Sequence, residues 1–252
     1  MTRRELMRIL SGAGLAAALP IGGRPALALG DASKVDVAEI QLPKGTVSRP
    51  DAWRQLLYEL ANTTSIEAVK RVATLAPDDV SLFNHPFAVL AGDGAFDPLE
   101  DGPLEQLSRY LTYGGFLFID DVTGAQDSAF DRSVRRLCAR LYPTRPLAPL
   151  PADHSVFRSF FLNPLPVGRV STHAFLEGIT DGETTPLIYC RNDVSGALLR
   201  GPDGRYVFPI APGGNRIEAL KLSINLVMYA LTSNYKKDQA HVRQLILEGR
   251  IE

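Results

Sequence analysis

The sequence predicts an α/β protein of three layers, a mostly parallel sheet with helices on both faces. Three observations carry that prediction. Phe87–Ala91 and Phe116–Ile119 are unbroken apolar runs, the pattern of strands covered on both sides. Segments with apolar residues three and four apart, the spacing of amphipathic helices, alternate with those runs. The joints between them are short and glycine-bearing, so strand, helix and strand follow one another as right-handed crossover units.

Val35-Asp36-Val37-Ala38-Glu39-Ile40 alternates apolar with polar residues and reads as the first strand. Ser48-Arg49-Pro50-Asp51 opens a helix, with Pro50 placed early, where its missing N–H does no harm, and Trp53, Leu56, Leu57 and Leu60 on one face. Ile66–Val72 is a weaker strand, and Asp78–Phe83 forms a short helical turn that ends before Pro86. The Phe87–Ala91 strand stops at Gly92-Asp93-Gly94, a tight exit. A helix from Pro103 to Tyr110 presents Leu104, Leu107 and Leu111 and ends at Gly114-Gly115; the Phe116–Ile119 strand then runs into Asp120-Asp121. Phe130, Val134, Leu137, Cys138 and Leu141 form the next helical stripe, with Arg132, Arg135, Arg136 and Arg140 largely opposite, and Pro143 terminates it. Thr144 to Arg169 holds five prolines and is read as an ordered surface loop broken by a short element at Val156–Phe161. Pro186–Cys190 resumes the sheet, followed by Asn192-Asp193. The last helix starts near Asn215, with Glu218 as a reciprocal cap. It buries Ile217, Leu220, Ile224, Val227, Met228 and Leu231 and stops by Asn234-Tyr235, ahead of a solvated basic tail at Lys236-Lys237.

Residues 1–28 read as an export signal, and residues 29–252 as one domain. Arg3-Arg4 precede the small and apolar run Ile9–Ile21, and Ala26-Leu27-Ala28 supplies a cleavage site, a twin-arginine-like arrangement. The run is too short and too broken by glycine and proline to span a bilayer, so no membrane span is expected after cleavage and the mature protein is placed in the periplasm or otherwise outside the cell. Past residue 28 the chain carries 23 basic and 27 acidic groups with no dense basic cluster, which argues against nucleic acid as a partner. Cys138, on a helix stripe, and Cys190, at a strand end, read as separately buried thiols.

In an open parallel sheet, ligands collect beyond the carboxyl ends of the strands. The candidates are therefore the polar residues that follow the apolar runs: Gly92 and Asp93, Asp120 and Asp121, Asn192 and Asp193. Asp120 and Asp121 point to opposite sides of an extended chain, so one of them is expected to form a cap or turn and the other to face a site. Asp153-His154 lies in the proline-containing loop that is expected to fold over this rim, and a histidine beside carboxylates can take a proton from water or hold a metal. The alternative for Asp153-His154 is a local hydrogen-bonded turn. Gly-x-Ser-x-Gly, a Walker phosphate loop, His-Glu-x-x-His and dinucleotide-type glycine spacing are all missing from the sequence, and no cofactor is specified.

Several segments carry a resemblance: His85-Pro86-Phe87 leading to Ala91-Gly92, Tyr113–Asp121, Leu150–Phe157, Asn192-Asp193, and Asn234–Gln239. On these segments the stretch from about Val35 to Val242 resembles bacterial domain-of-unknown-function family 4159, found as exported single domains and as the C-terminal part of larger membrane proteins. More distantly it is similar to the class I glutamine-amidotransferase-like fold, which implies a flavodoxin-like sheet. Catalytic members of that fold carry a cysteine just beyond the strand matching Phe116–Ile119; here Asp120-Asp121 stand there, and neither Cys138 nor Cys190 can substitute. The loop at His154 also resembles the Asp-His-Pro-Ile turn of a trehalose-utilisation-like branch, with Ser155 in place of the proline, which implies a sugar-related ligand.

Two readings of function follow. The first is a non-catalytic periplasmic binding or scaffold domain, using the acidic rim and the Thr144–Arg169 loop for a small polar or saccharide ligand or for an envelope protein partner. The second is a hydrolase acting on a glycan or related polar substrate, in which Asp121, His154 and Asp193 activate water, with or without a divalent metal. Gly92, Asp93, Asp120, Asp153 and Asn192 would line the ligand site in either.

Overall fold

The computed structural model describes the backbone of residues 34–247 and the side chains of residues 34–233. The expected export segment lies outside the described residues.

The strands are β1 Val35–Ile40, β2 Ala68–Leu75, β3 Phe87–Gly92, β4 Phe116–Asp121, β5 Ala148–Pro149, β6 Glu177–Asp181 and β7 Thr184–Cys190. They form one seven-stranded sheet in the order β2-β1-β3-β4-β7-β6-β5. β2, β1, β3, β4 and β7 are parallel, while β6 and β5 close the far edge antiparallel. The helices are α1 Pro50–Thr63, α2 Asp101–Thr112, α3 Ala129–Leu141, α4 Val194–Leu198 and α5 Arg216–Leu247.

The three layers follow from the two-residue period of a strand. Phe116 and Phe118 of β4 face one cluster, with Trp53, Leu56 and Leu57 of α1 and Ile224 and Val227 of α5. Leu117 and Ile119 face the other, with Leu107 and Leu111 of α2 and Val134 and Leu137 of α3. Every residue of β3 and β4 is buried, as their unbroken apolar runs require. A fully buried leucine such as Leu56 or Leu57 contributes roughly 1.5–3 kcal/mol, so each face is held by many modest terms.

Strand order reverses between β1 and β3, the place where open α/β sheets leave a crevice. Here the chain fills it. The segment after β1 crosses the end of β3, pairing Thr46 with Gly92, and Gly45 O accepts from Asp93 N and Gly94 N. Gly45 has φ +80°, and a Cβ on Gly92 would sit 2.1 Å from the Phe130 ring and 2.4 Å from Gly45 O.

Several elements differ from the sequence expectation. The β6–β7 hairpin and β5 were not anticipated, because Glu177-Gly178-Ile179-Thr180-Asp181 offers one strong apolar residue and is held as a strand by its pairing with β7. α4 has only five residues, too few to show a period. Helix α5 does not stop at Asn234-Tyr235 but continues to Leu247, since no glycine or proline breaks it there. Ile217, expected on its buried face, is 66% exposed, because the helix first meets the core at Ala219. The reciprocal cap is half made. Asn215 Oδ1 accepts from Ile217 N and Glu218 N, whereas Glu218 accepts from Leu165 N and Lys221 instead.

Candidate functional site

β4 and β7 are adjacent and parallel, with Asp120 opposite Cys190, so Asp120, Asp121, Asn192 and Asp193 do meet at one rim. All four are fully buried. Their neighbours are donors from the protein itself.

Asp120 points to the α1/α5 side and caps α4, accepting from Val194 N at 2.9 Å and Ser195 N at 2.8 Å. Asp193 begins α4 in the left-handed region at φ 55° and accepts from Gly196 N at 2.9 Å. A Cβ on Gly196 would lie 2.3 Å from Asp193 Oδ2, so a larger residue there would displace the Asp193 carboxylate. Two guanidinium groups reach the Asp193 carboxylate. Arg49 Nη1 donates to Oδ1 at 2.5 Å, and Arg169 Nε donates to Oδ2. Arg49 is itself held by Glu39, a buried carboxylate that accepts from Ser48 Oγ at 2.7 Å, Arg49 N at 2.7 Å and Trp53 Nε1 at 2.9 Å. Burial, and then the neighbouring Asp193 charge, push the Asp120 carboxyl up to about 6.

Asp121 points to the other side, as consecutive strand residues must. It accepts from Thr123 N at 2.9 Å and Thr123 Oγ1 at 2.6 Å through one oxygen, and from Ser128 Oγ at 2.5 Å and Tyr189 Oη at 3.4 Å through the other. Ser128 Oγ in turn accepts from Asp131 N and caps α3. One of the two aspartates was expected to make a cap or turn and the other to face a site; both are engaged in a cap or turn. Asn192 is equally engaged: Oδ1 accepts from Thr172 N and His173 N, and Nδ2 donates to Pro166 O and His173 O, which pins the loop 166–173 to the rim.

His154 is not at this rim. Its Nδ1 accepts from Val156 N and its Nε2 lies 3.0 Å from Thr185 Oγ1, with the ring centre 5.3 Å from that of Tyr229. Thr185 is the second residue of β7, two residues before the Leu117–Leu187 pair, so His154 sits about 15–20 Å from Asp121, at the opposite end of the parallel strands. Burial lowers the pKa of its half-buried imidazole. The proline-containing loop therefore reaches the carboxyl rim only at its end, where Pro166 O accepts from Asn192 and Arg169 meets Asp193, while its His154 part lies at the amino end of β7. Asp153 is exposed beside it, Asp93 is exposed beyond β3, and Gly92 is a packing position.

Neither thiol is activated. Cys138 and Cys190 are free and buried; burial pushes Cys138 up to about 12 and raises Cys190 further. Among the described residues no group of three His, Cys, Asp or Glu side chains is placed to hold a metal ion. The open space near the strand ends is a cleft of about 580 Å³ between the segment after β1 and the chain leading to α2, lined by Leu42, Lys44, Pro77, Phe96, Asp97 and Leu99. Lys44 and Asp97 pair across it at 2.9 Å.

Sequence reasoning missed Arg49, Arg169 and Glu39. Glu39 had a weak signal, a carboxylate next to the end of a strand whose neighbours Ala38 and Ile40 are apolar, and such a group must find donors if buried. The pairing of Arg49 with a residue 144 positions away had none.

The raised pKa gives a sign-defined prediction. Unfolded, the Asp120 carboxyl titrates near 3.9 as carboxylates ordinarily do, so between about pH 4 and about pH 6 the folded state binds more protons than the unfolded chain. Its contribution is most favourable below that window and is lost as pH rises through it. The stability of the wild type relative to Asp120→Asn, read by urea unfolding at fixed ionic strength, is expected to fall across the window. A difference that does not change with pH would contradict the assignment.

Fold and rim together define a three-layer α/β domain whose strand-end carboxylates are bound internally. The chain belongs to the family described as Domain of unknown function (DUF4159), whose family model matches residues 36–231. Comparison with curated proteins found no match.

Proposed function

We propose that this protein is an exported, non-catalytic binding or scaffold domain of the cell envelope. One observation carries the reading: Asp120, Asp121 and Asp193 are enclosed at the carboxyl rim, with both oxygens of each engaged by internal donors. A carboxylate so held stabilises the framework and is a poor acceptor for a proton from a substrate water.

Other features agree. The parallel core order β2-β1-β3-β4-β7 is that of flavodoxin-like sheets, which supports the distant glutamine-amidotransferase-like kinship, and at the position of that fold's nucleophile the chain carries Asp120-Asp121. Periplasmic placement rests on the twin-arginine-like segment; among the described residues no helix is long and apolar enough to cross a membrane. The strand-end cleft has room for a small ligand, with Lys44 and Asp97 among its charged groups. Leu162, Leu165 and Ile217, exposed within a few residues of the Leu165–Glu218 contact, suit an envelope protein partner.

The test pairs function with stability. Asp121→Asn removes an acceptor from a buried network and is expected to cost about 1–3 kcal/mol in unfolding, while capture of ligand or partner from an envelope extract by the folded protein is unchanged. Hydrolysis of a glycan or glycan ester by the wild type, abolished in folded Asp121→Asn, would refute the reading.

A further inference from the structure

The outer side of the same rim carries positive charge that no described carboxylate neutralises. From α4 the chain returns to α5 through a narrow hairpin, in which Arg200 and Tyr206 pair and Gly201 N donates to Arg205 O. This hairpin gathers guanidinium groups around two aromatic rings. The guanidinium carbons of Arg216 and Arg200 lie 3.7 and 4.4 Å from the centre of the Tyr206 ring, and those of Arg49 and Arg169 lie 5.0 and 5.7 Å from that of Phe208.

The two pairs differ in their counter-charge. Arg49 and Arg169 share the Asp193 carboxylate. Among the described residues, no carboxylate lies within ion-pair distance of Arg200 or Arg216. Glu218, in the first turn of α5, is engaged by Lys221 and Leu165 N, and Asp203, in the hairpin turn, lies 3.9 Å from Arg205. The two unneutralised groups are nonetheless fixed in place. Arg216 donates to Ala197 O at 2.6 Å and to Phe208 O, and Arg200 donates to Gly204 O at 3.2 Å and Tyr206 Oη at 2.9 Å. Arg200 Nε keeps a donor without an acceptor. Burial lowers the Arg216 pKa and the Arg200 charge lowers it further, against a raising effect of Tyr206. Holding two cations together on one ring with no anion costs electrostatic free energy, and a bound anion recovers it.

We propose that Arg200, Tyr206 and Arg216 form a binding site for the phosphate group of a phosphorylated ligand. Two fixed guanidinium groups match a tetrahedral group carrying a charge near −2 better than a carboxylate, which one arginine alone satisfies through a bidentate pair. Tyr206 is 42% exposed, so the site is open to solvent. The assignment rests on the binding-domain reading and supplies the chemistry of one ligand group.

The experiment titrates the purified full chain with inorganic phosphate and pyrophosphate at constant ionic strength, by calorimetry. Co-sedimentation with vesicles of phosphatidylglycerol in phosphatidylcholine separates a lipid phosphate from a soluble one. Saturable binding in either arm is expected to weaken about tenfold or more in Arg200→Gln, and to be unchanged in Arg205→Gln, which removes the same charge from a side chain 89% exposed on the same hairpin. Should Arg200→Gln fail to fold, Tyr206→Leu tests the same stack. Equal weakening by Arg205→Gln would mean a general charge effect and overturn the site, as would no binding in either arm. Both negative results leave the non-catalytic reading standing, since that reading fails only on substrate turnover.

Discussion

Asp193→Ala is expected to destabilise the domain by about 3–5 kcal/mol, the cost of leaving a buried ion cluster without its anion. The Asp193 side chain is fully enclosed, while its partners Arg49 and Arg169 are only 10% and 24% exposed and cannot recover their hydration without moving. Two other losses accompany the charge. α4 loses the cap that Asp193 makes by accepting from Gly196 N, and a non-glycine residue without a polar side chain is left at φ 55°, where alanine is less favourable than aspartate or asparagine by about 1 kcal/mol. Asp193→Asn isolates the charge, because asparagine keeps the left-handed preference and the acceptor for Gly196 N. It should therefore lose clearly less than the alanine variant. Both variants should also bring the Asp120 pKa down, since the adjacent negative charge that raises it has gone. Guanidinium chloride unfolding measures the first effect, and its pH dependence measures the second. If both variants unfold within about 0.5 kcal/mol of the wild type, the range of an ordinary surface substitution, the cluster does not hold the rim together.

How far the sequence could be read depends on whether a residue's fate is set locally. The unbroken runs in β3 and β4 and the leucine and tryptophan spacing of α1 were legible, because each element carries its own periodic signal and the core only completes it. β6 was not legible, because Glu177 and Asp181 are strand residues by virtue of β7 beside them. At the rim, the sequence located the carboxylates from strand direction and the strand-end rule, and Asp120, Asp121, Asn192 and Asp193 are there. It had no means to show that Arg49, from the segment after β1, and Arg169, from the proline-containing loop, would arrive to neutralise Asp193. His154 illustrates the converse. Its adjacency to Asp153 suggested chemistry, yet its position depends on which end of the sheet the loop crosses, a property of the whole topology.

The rim has its own logic once those contacts are on the page. Helices α1 and α4 both begin there, so backbone N–H groups and their positive dipole ends converge with the arginines on one small volume. Such a place attracts anions. The chain supplies them itself, with Glu39 at the start of α1 and with Asp120 and Asp193 at the start of α4. Of the carboxylates singled out in the sequence, Asp120 and Asp193 serve as internal counter-charges at the start of α4, and among the described residues Arg200 and Arg216, outside them, have no carboxylate partner.

Gly92→Ala is the second substitution expected to have a large effect, about 3 kcal/mol of lost stability, at the upper end of what overpacking a closed core costs. The added methyl would lie 2.1 and 2.4 Å from two carbons of the Phe130 ring and 2.4 Å from Gly45 O. Neither neighbour yields easily. Phe130 is fully buried against Phe96, with ring centres 5.6 Å apart, and Gly45 O is the acceptor for Asp93 N and Gly94 N. If the backbone gives way, the segment after β1 lifts from β3, and that segment ends in Arg49, the partner of Asp193. The strain would then reach the carboxylate cluster without any change in it. A second variant separates the two contacts: in a Phe130→Leu background the ring contact is relieved but the carbonyl contact remains. Gly92→Ala should therefore cost less in that background, by the share of the strain that the ring carries. Recovery of nearly the whole loss would show that the crossing segment can adjust. No recovery would place the strain in the backbone contact with Gly45. An unfolding free energy for Gly92→Ala alone within about 0.5 kcal/mol of the wild type would mean that the crevice at the reversal of strand order is not closed by this contact, and that Gly92 is free to line a ligand site as its place at a strand end suggests.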